Sequence, residues 1–350
     1  MYGLLADKDM ATGKRIAKIN VDRVRLWGGT ALSVLLLVLA FRGIDFAELG
    51  SALGRTNYGL VLVAVGTIIA TSMAKTARWQ LLFYPRHRQR RYGKLLAILF
   101  IGQMVNIVIP ARLGELARAY LVGEIEGESK ALALGTIVVE KAVDLLMVII
   151  LFAGLVLTMA VPRWVQEPGV GLVIITVVLL GALVLAALYR ERLLAAFGRL
   201  MGILPELARA RLLSQLEAAL GSLEVLRRWD VSLGLVGWSI FTWLLAASTN
   251  YVVFLALGLR LSFLAAIFLL VVLQVGVAVP SSPGKIGVFH YLCLLALSVF
   301  GVERSLALSY GLLLYFVVFL PPTLLCAFFL WLENVTWRRL RRGVLEVEGT

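Results

Sequence analysis

Two cysteines and two histidines are all that 350 residues contain of the side chains that most often staple small folds or hold metals. Cys293 and Cys326 both sit inside apolar runs, so neither a disulfide framework nor a metal site is indicated. Charge is scarce as well: Asp, Glu, Lys and Arg make up 16% of the chain, against about 25% in soluble domains. HExxH, GxSxG, Walker-type loops and paired Asp-rich metal motifs do not occur, so nothing calls for a cofactor. What is there instead is apolar, 61% of residues, with a mean hydropathy of +0.92. Such a chain is an all-α polytopic membrane protein.

The formal net charge of +13 is gathered into a few stretches between apolar runs, which is topological signal and not a nucleic-acid interface. Residues 1–25 form a basic N-terminus with Lys8, Lys14, Arg15, Lys18, Arg23 and Arg25. Another basic run, Lys75, Arg78, Arg86, Arg88, Arg90, Arg91 and Lys94, contains no acid; its His87 is one more member of a basic loop. Arginines recur across 190–230, and Arg338, Arg339, Arg341 and Arg342 mark a tail at 336–350. By the positive-inside rule all four regions are expected in the cytoplasm, with the chain in the cell inner (cytoplasmic) membrane. The first apolar run lacks a small-residue cleavage site and reads as an anchor. Within 190–230, Leu212, Leu216, Leu220, Leu223 and Leu226 repeat at helical spacing, as in an amphipathic surface helix.

One membrane domain, 26–335, is expected between these ends. Its full spans are six: about 26–41, 58–74, 131–160, 171–189, 233–257 and 306–332. Two further apolar stretches are broken. In LLAILFIGQMVNIVIPARLGELARAYLV, residues 95–122, the arm before Pro110 is shorter than the roughly 20 residues a perpendicular crossing needs. Its second arm carries Arg112, Glu115 and Arg118. Because 75–94 and 190–230 both belong inside, the segment between the flanking spans must start and finish on one face. A re-entrant hairpin satisfies that parity. The stretch 263–300, broken by PSSPGKIG at 280–287, satisfies it from the opposite face.

The two breaks resemble each other. Gln103 precedes Pro110 and Gln274 precedes Pro280 at similar spacing, and Gly114 and Gly284 each follow the proline by four. Flanking spans match too, so an inverted repeat with paired broken helices is expected, its site near the midplane.

Candidate site residues cluster at the breaks. Arg112, Glu115 and Arg118 are spaced by three on a helix expected to begin near Ala111. Ser281 and Ser282 are natural N-caps, Lys285 adds a cation, and His290 follows. Two helix N-termini with cations would attract an anion, and a phosphate fits best. The long block 131–160 adds Glu140, Lys141 and Asp144; intramembrane charges of this kind face a cavity or one another. These acids either neutralise Arg112, Arg118 or Lys285, or act in substrate passage or proton coupling. Ser248, Thr249 and Asn250 read as interhelical hydrogen-bonding groups.

At Arg78-Trp79, NIVIPARLGELAR (106–118), Glu140-Lys141-x-x-Asp144 and PSSPGKIG (280–287), the chain resembles the lysylphosphatidylglycerol synthase transmembrane family of flippase-like proteins. The likeness covers roughly residues 20–335. It implies movement of lipids or lipid-linked intermediates between leaflets, without catalysis, by a stand-alone member lacking the soluble aminoacyl-transferase domain of the synthases. Lys285 stands where a second glycine is usual, and His290 near where an acidic residue is common. The expected partner is therefore a membrane lipid with a phosphate head group, a homo-oligomer being left open. Two alternatives remain at this point: an enzyme acting on a lipid phosphate through His290 or the acid pair, and a non-catalytic partner of a membrane glycosyltransferase.

Overall fold

A computed structural model describes residues 33–85, 89–108, 113–203, 205–276 and 283–332. The described chain is helical throughout. Helix α1 runs over 33–41, and α2 (Phe46–Gly54) is a short helix capped by the Asp45 carboxylate, which accepts from the Ala47 and Glu48 N–H groups. Helix α3 (Tyr58–Leu81) begins where Asn57 accepts from the Leu60 N–H, satisfying one of the amides that every helix start leaves bare. Then come α4 (Tyr92–Val108), α5 (Gly114–Glu126) and α6 (Lys130–Thr158), the last capped by Ser129. Next are α7 (Arg163–Leu188), α8 (Arg190–Leu200), α9 (Glu206–Gly221) and α10 (Trp229–Ala256). The chain closes with α11 (Phe263–Gly276), α12 (Val288–Ser298) and α13 (Arg304–Leu332).

Among the described residues five helices are long and apolar enough to cross a bilayer: α3, α6, α7, α10 and α13. The sixth expected span, 26–41, lies partly outside the described residues, and its described part, α1, is helical. Helix α7 shows how the solvent is chosen. Ile174, Ile175, Val177, Val178 and Leu188 all point outward from it, an arrangement suited to lipid and not to water.

The two broken stretches fold as antiparallel helix pairs. Arg90, just before α4, donates to the Glu126 carbonyl and pairs with the Glu128 carboxylate, so the start of α4 meets the end of α5. Gly102 and Gly114 let the two backbones approach so closely that neither has room for a Cβ. In the second pair Phe268, near the start of α11, packs its ring edge-on against Phe300, just past the end of α12. Each pair is the centre of an apolar cluster of its own. One gathers Trp79, Leu95, Ile98, Phe100, Ala117 and Leu121; the other gathers Phe254, Phe268, Leu269, Phe289, Cys293 and Tyr310.

Helices α3 and α10 run antiparallel along their lengths. The Asn57 N–H donates to the Ala256 carbonyl at one end, Thr67 and Thr249 hydroxyls meet at 2.8 Å midway, and Leu81 lies beside Gly234 at the other. Around this axis the neighbours repeat. Helix α4 touches α3, α5 and α13, whereas α11 touches α10, α12 and α6; α5 lies on α6 as α12 lies on α13. Exchanging α3, α4, α5 and α6 for α10, α11, α12 and α13 leaves that set of neighbours unchanged.

The polar step in α10 does what its residue types suggest. Asn250 Nδ2 donates to the Ala266 carbonyl on α11, and Tyr310 Oη on α13 donates to the Asn250 carbonyl. Such bonds average about 0.6 kcal/mol each between membrane helices. The segment 190–230 forms α8, α9 and a 3-10 turn, Ser222–Arg227. It packs on α6 where Gly135 admits the Ala219 carbonyl and Ser222. Of the expected apolar stripe, Leu223 is buried and Leu212 is exposed.

Candidate functional site

Helix α3 does not stop at Ala74, where the sequence placed the edge of a span. It continues to Leu81 and carries Lys75 and Arg78 with it. The apolar run ends sooner than the helix because these two cations turn inward, toward acids on α6. Arg78 is almost fully buried: its Nη1 lies 2.7 Å from Asp144 Oδ1 and 3.3 Å from Ser239 Oγ, and its Nη2 lies 3.7 Å from Glu140 Oε1. Glu140, equally buried, is shared with α5. Arg118 Nη2 donates to Glu140 Oε2 at 2.6 Å and Nη1 to Oε1 at 3.4 Å. This is the forked geometry that a guanidinium and a carboxylate form together.

Aromatic support fixes the fork. The Arg118 guanidinium lies 4.0 Å from the Trp79 ring centroid, and Trp79 Nε1 donates to Thr136 on α6. Trp79 is thus held by a hydrogen bond while its face holds a cation. On the more open side Lys141 Nζ lies 3.1 Å from Glu115 Oε1. Four helices therefore meet through charge and hydroxyl: α3, α5 and α6 by ions, α10 by Ser239.

At the turn of the first helix pair Asn106 Oδ1 accepts the Gly114 N–H at 2.8 Å, filling the start of α5 with a side-chain amide. Helix α5 starts at Gly114, three residues later than the expected Ala111, because that cap and the Gly102 approach fix its first turn there. Arg112, with Pro110, lies outside the described residues, as do Pro280, Ser281 and Ser282.

The second turn is built differently. Pro283–Lys285 is a 3-10 turn that contacts α4, and α12 begins only at Val288. Lys285 therefore precedes the helix instead of occupying its first turn. Gly284, Lys285 and Gly287 all have positive φ, 71°, 58° and 91°. Left-handed backbone at three of four positions stops a helix from starting earlier. At Lys285 that backbone is one that glycine adopts more readily than lysine. Tyr315 Oη on α13 donates to the Gly284 carbonyl at 2.9 Å. His290 turns back toward the same loop: its Nδ1 faces the Gly287 N–H at 3.5 Å, and its ring packs beside Phe289 and Tyr315. That position makes it a closing group of the turn.

Of the residues singled out by sequence, the structure thus joins Glu115, Arg118, Glu140, Lys141 and Asp144 in one network, and places Lys285 and His290 in the other turn. It adds Arg78, Lys75, Trp79, Asn106 and Ser239. Arg78 had a signal: it stands four residues past an apolar run, within one helical turn of continuing the same buried face.

The chain is similar to several known proteins. Over 298 residues the chain is 25% identical to a UPF0104 membrane protein of Methanothermobacter thermautotrophicus, covering 80% of this chain and 86% of that one. A UPF0104 membrane protein of Methanocaldococcus jannaschii is 26% identical over 227 residues, 62% of this chain and 90% of its own. The glycosyltransferase AglD of Haloferax volcanii is 32% identical over 135 residues, 39% of this chain but only 22% of its own length. No solved structure matches. The family model described as the lysylphosphatidylglycerol synthase TM region matches residues 26–326, and the chain belongs to that family.

Proposed function

We propose that the protein moves a lipid with an anionic, phosphate-bearing head group, or a lipid-linked intermediate of that kind, between the leaflets of the cytoplasmic membrane. The observation that carries this reading is the pair of short-armed helix hairpins, α4–α5 and α11–α12, in a bundle of spanning helices. Broken helices at membrane depth line polar paths in transporters. The exchangeable neighbours of the two sets of four helices, and the antiparallel run of α3 against α10, support an inverted repeat. In this reading the hairpins are re-entrant from opposite faces, and both termini lie in the cytoplasm.

The head group meets Arg112 and Lys285 at the two turns, with Ser281 and Ser282 adding hydrogen bonds. Glu115, Arg118, Glu140 and Asp144 form the charged wall that holds the first turn and lets a polar group pass it. His290 sets the shape of the second turn. The protein acts without a bond-making step, so the intact lipid is both substrate and product. The match to part of the glycosyltransferase AglD favours, as the second reading, a supporting role beside a membrane glycosyltransferase.

Purified protein in liposomes decides between them. Head-group-labelled anionic lipid in the inner leaflet should become reachable by an impermeant quencher, unchanged in mass. A chemically altered lipid would replace transport with enzymology. Labelled lipid that stays in its leaflet, with folded protein present, would leave the supporting role.

A further inference from the structure

The charged network is not balanced. Arg78 is matched by Asp144 and Glu140, Arg118 by Glu140, and Lys141 by Glu115. Lys75 is left over. It stands one helical turn before Arg78 on the same face of α3, within the electrostatic reach of Asp144, Arg78, Lys141 and Glu140. No carboxylate among the described residues comes within 4 Å of it. An excess cation inside a membrane bundle is costly unless something opposes it.

The neighbouring groups show from which side that something arrives. Glu140 and Arg78 are sealed, with side chains 4% and 1% exposed, whereas Lys141 is 49% and Glu115 25% exposed. Lys75 itself is half-buried. The network thus has a closed floor of paired ions and an open side holding Lys75 and Lys141. Buried polar atoms without a hydrogen-bond partner occur on both signs of the network: Arg78 Nε and Nη2 and Arg118 Nε among the donors, Asp144 Oδ1 and Glu115 Oε2 among the acceptors. One cation in excess of anions, on the open side of the network, points to a missing partner, a compact oxyanion.

We infer that Lys75, together with Lys141, binds a phosphate-class oxyanion at the open side of the α3–α5–α6 charged network. The station is additional to the two hairpin turns. It rests on the transport reading only in supposing that the oxyanion belongs to a lipid head group. Glu115 holds Lys141 when the station is empty and yields it when the anion arrives. The chain then offers a cation on α3 and one on α6 to a head group leaving or approaching the first hairpin.

The test uses the full chain purified in maltoside micelles, which carry no phosphate. Thermal midpoints are measured in micelles alone, with added phosphatidylglycerol, and with added inorganic phosphate, for the wild type and for Lys75→Met and Lys75→Arg. In micelles alone Lys75→Met should melt higher than the wild type, because an unopposed cation is gone. With phosphatidylglycerol the wild type and Lys75→Arg should shift upward, as any ligand of the folded state makes them do. Lys75→Met should bind at least about tenfold more weakly, the loss expected for one charge-assisted contact. A wild-type shift with phosphatidylglycerol alone assigns the site to a lipid head group; a shift with both additives assigns it to the oxyanion in either form. Lys75→Met melting lower than the wild type in every condition would make Lys75 a structural counter-charge to Asp144 and overturn the inference, as would equal shifts in all three proteins. Binding through Lys75 in a protein that moves no lipid would sink the transport reading and leave this site standing.

Discussion

The two hairpins occupy equivalent places in the bundle and are held by different forces. Around α4–α5 the fixing groups are ions: Arg78, Arg118, Glu140 and Asp144 bind three helices into one network, and Trp79 backs it. Around α11–α12 they are backbone and rings: three positive φ angles, the Tyr315-to-Gly284 hydrogen bond, and His290 packed among Phe289 and Tyr315. Packing repeats between the halves while chemistry does not. Buried charge gathers beside the first hairpin, whereas a left-handed turn backed by aromatic rings shapes the second.

The largest effect should come from the ionic half. Glu140→Gln leaves Arg118 and Arg78 facing each other with no shared carboxylate, and breaking a buried pair of this kind costs about 3–5 kcal/mol. Melting of the purified protein would show it, and Arg118→Met on the same background should return part of the loss by removing one orphaned cation. Equal and additive losses would separate the two residues and dissolve the network.

Next comes a comparison of the hairpins themselves. Gly114→Ala drives a Cβ into the Gly102 carbonyl and the Asn106 side chain, and backbone cannot step aside cheaply. A loss of about 1–3 kcal/mol is expected from such overpacking. Gly276→Ala meets only the Leu292 side chain, which can turn. Its cost should be about 1 kcal/mol or less. If the two variants melted alike, the first hairpin would be no more tightly built than the second.

The smaller effects belong to the second half. Lys285→Gly should raise stability by up to about 1 kcal/mol, since relief of left-handed strain outweighs the entropy that glycine brings. A lower midpoint would mean the lysine side chain matters more to the fold than its backbone does. At the smallest scale, the two flanking helices α6 and α13 differ in their caps. Ser129 caps α6 with a hydroxyl, whereas the Glu303 carboxylate accepts from the Ser305 and Leu306 N–H groups at the start of α13. Those N–H donors hold the Glu303 carboxyl below its ordinary value of 4.5. A depressed acid stabilises the fold above its unfolded value and loses that contribution as pH falls through the folded one. Glu303→Gln should therefore lower the midpoint slightly at pH 7, with the difference closing below about pH 4.5. Ser129→Ala should cost the same at both.

How far the sequence could be read follows from what each residue does. Spans and hairpin arms were legible because length and hydropathy act locally, and Pro110 and Pro280 announce the breaks. The acids of 131–160 were legible as counter-charges in one of two readings, but which of Arg112, Arg118 and Lys285 they would meet was not; the structure pairs Glu140 with Arg118. Arg78 was misread as a loop residue. Positive-inside counting treats all cations after an apolar run as solvated, and only the tertiary position of Asp144 draws this one inward. The starts of α5 and α12 were displaced for a related reason. Proline marks where a helix ends, but the Asn106 cap and the left-handed turn at 284–287 decide where the next begins, and neither is visible in hydropathy. Lys75 escaped for want of a visible partner.

The central claim is that the two hairpins enter the membrane from opposite faces and return to them. Single cysteines introduced as Arg91→Cys, Glu126→Cys, Arg260→Cys and Val302→Cys, on a background with Cys293 and Cys326 replaced, test it with an impermeant thiol reagent on intact cells and on inverted vesicles. Positions 91 and 126 should label only from the cytoplasmic side, and 260 and 302 only from outside. Labelling of 126 from outside, or of 260 and 302 from different sides, would contradict it, because one hairpin would then be a full crossing.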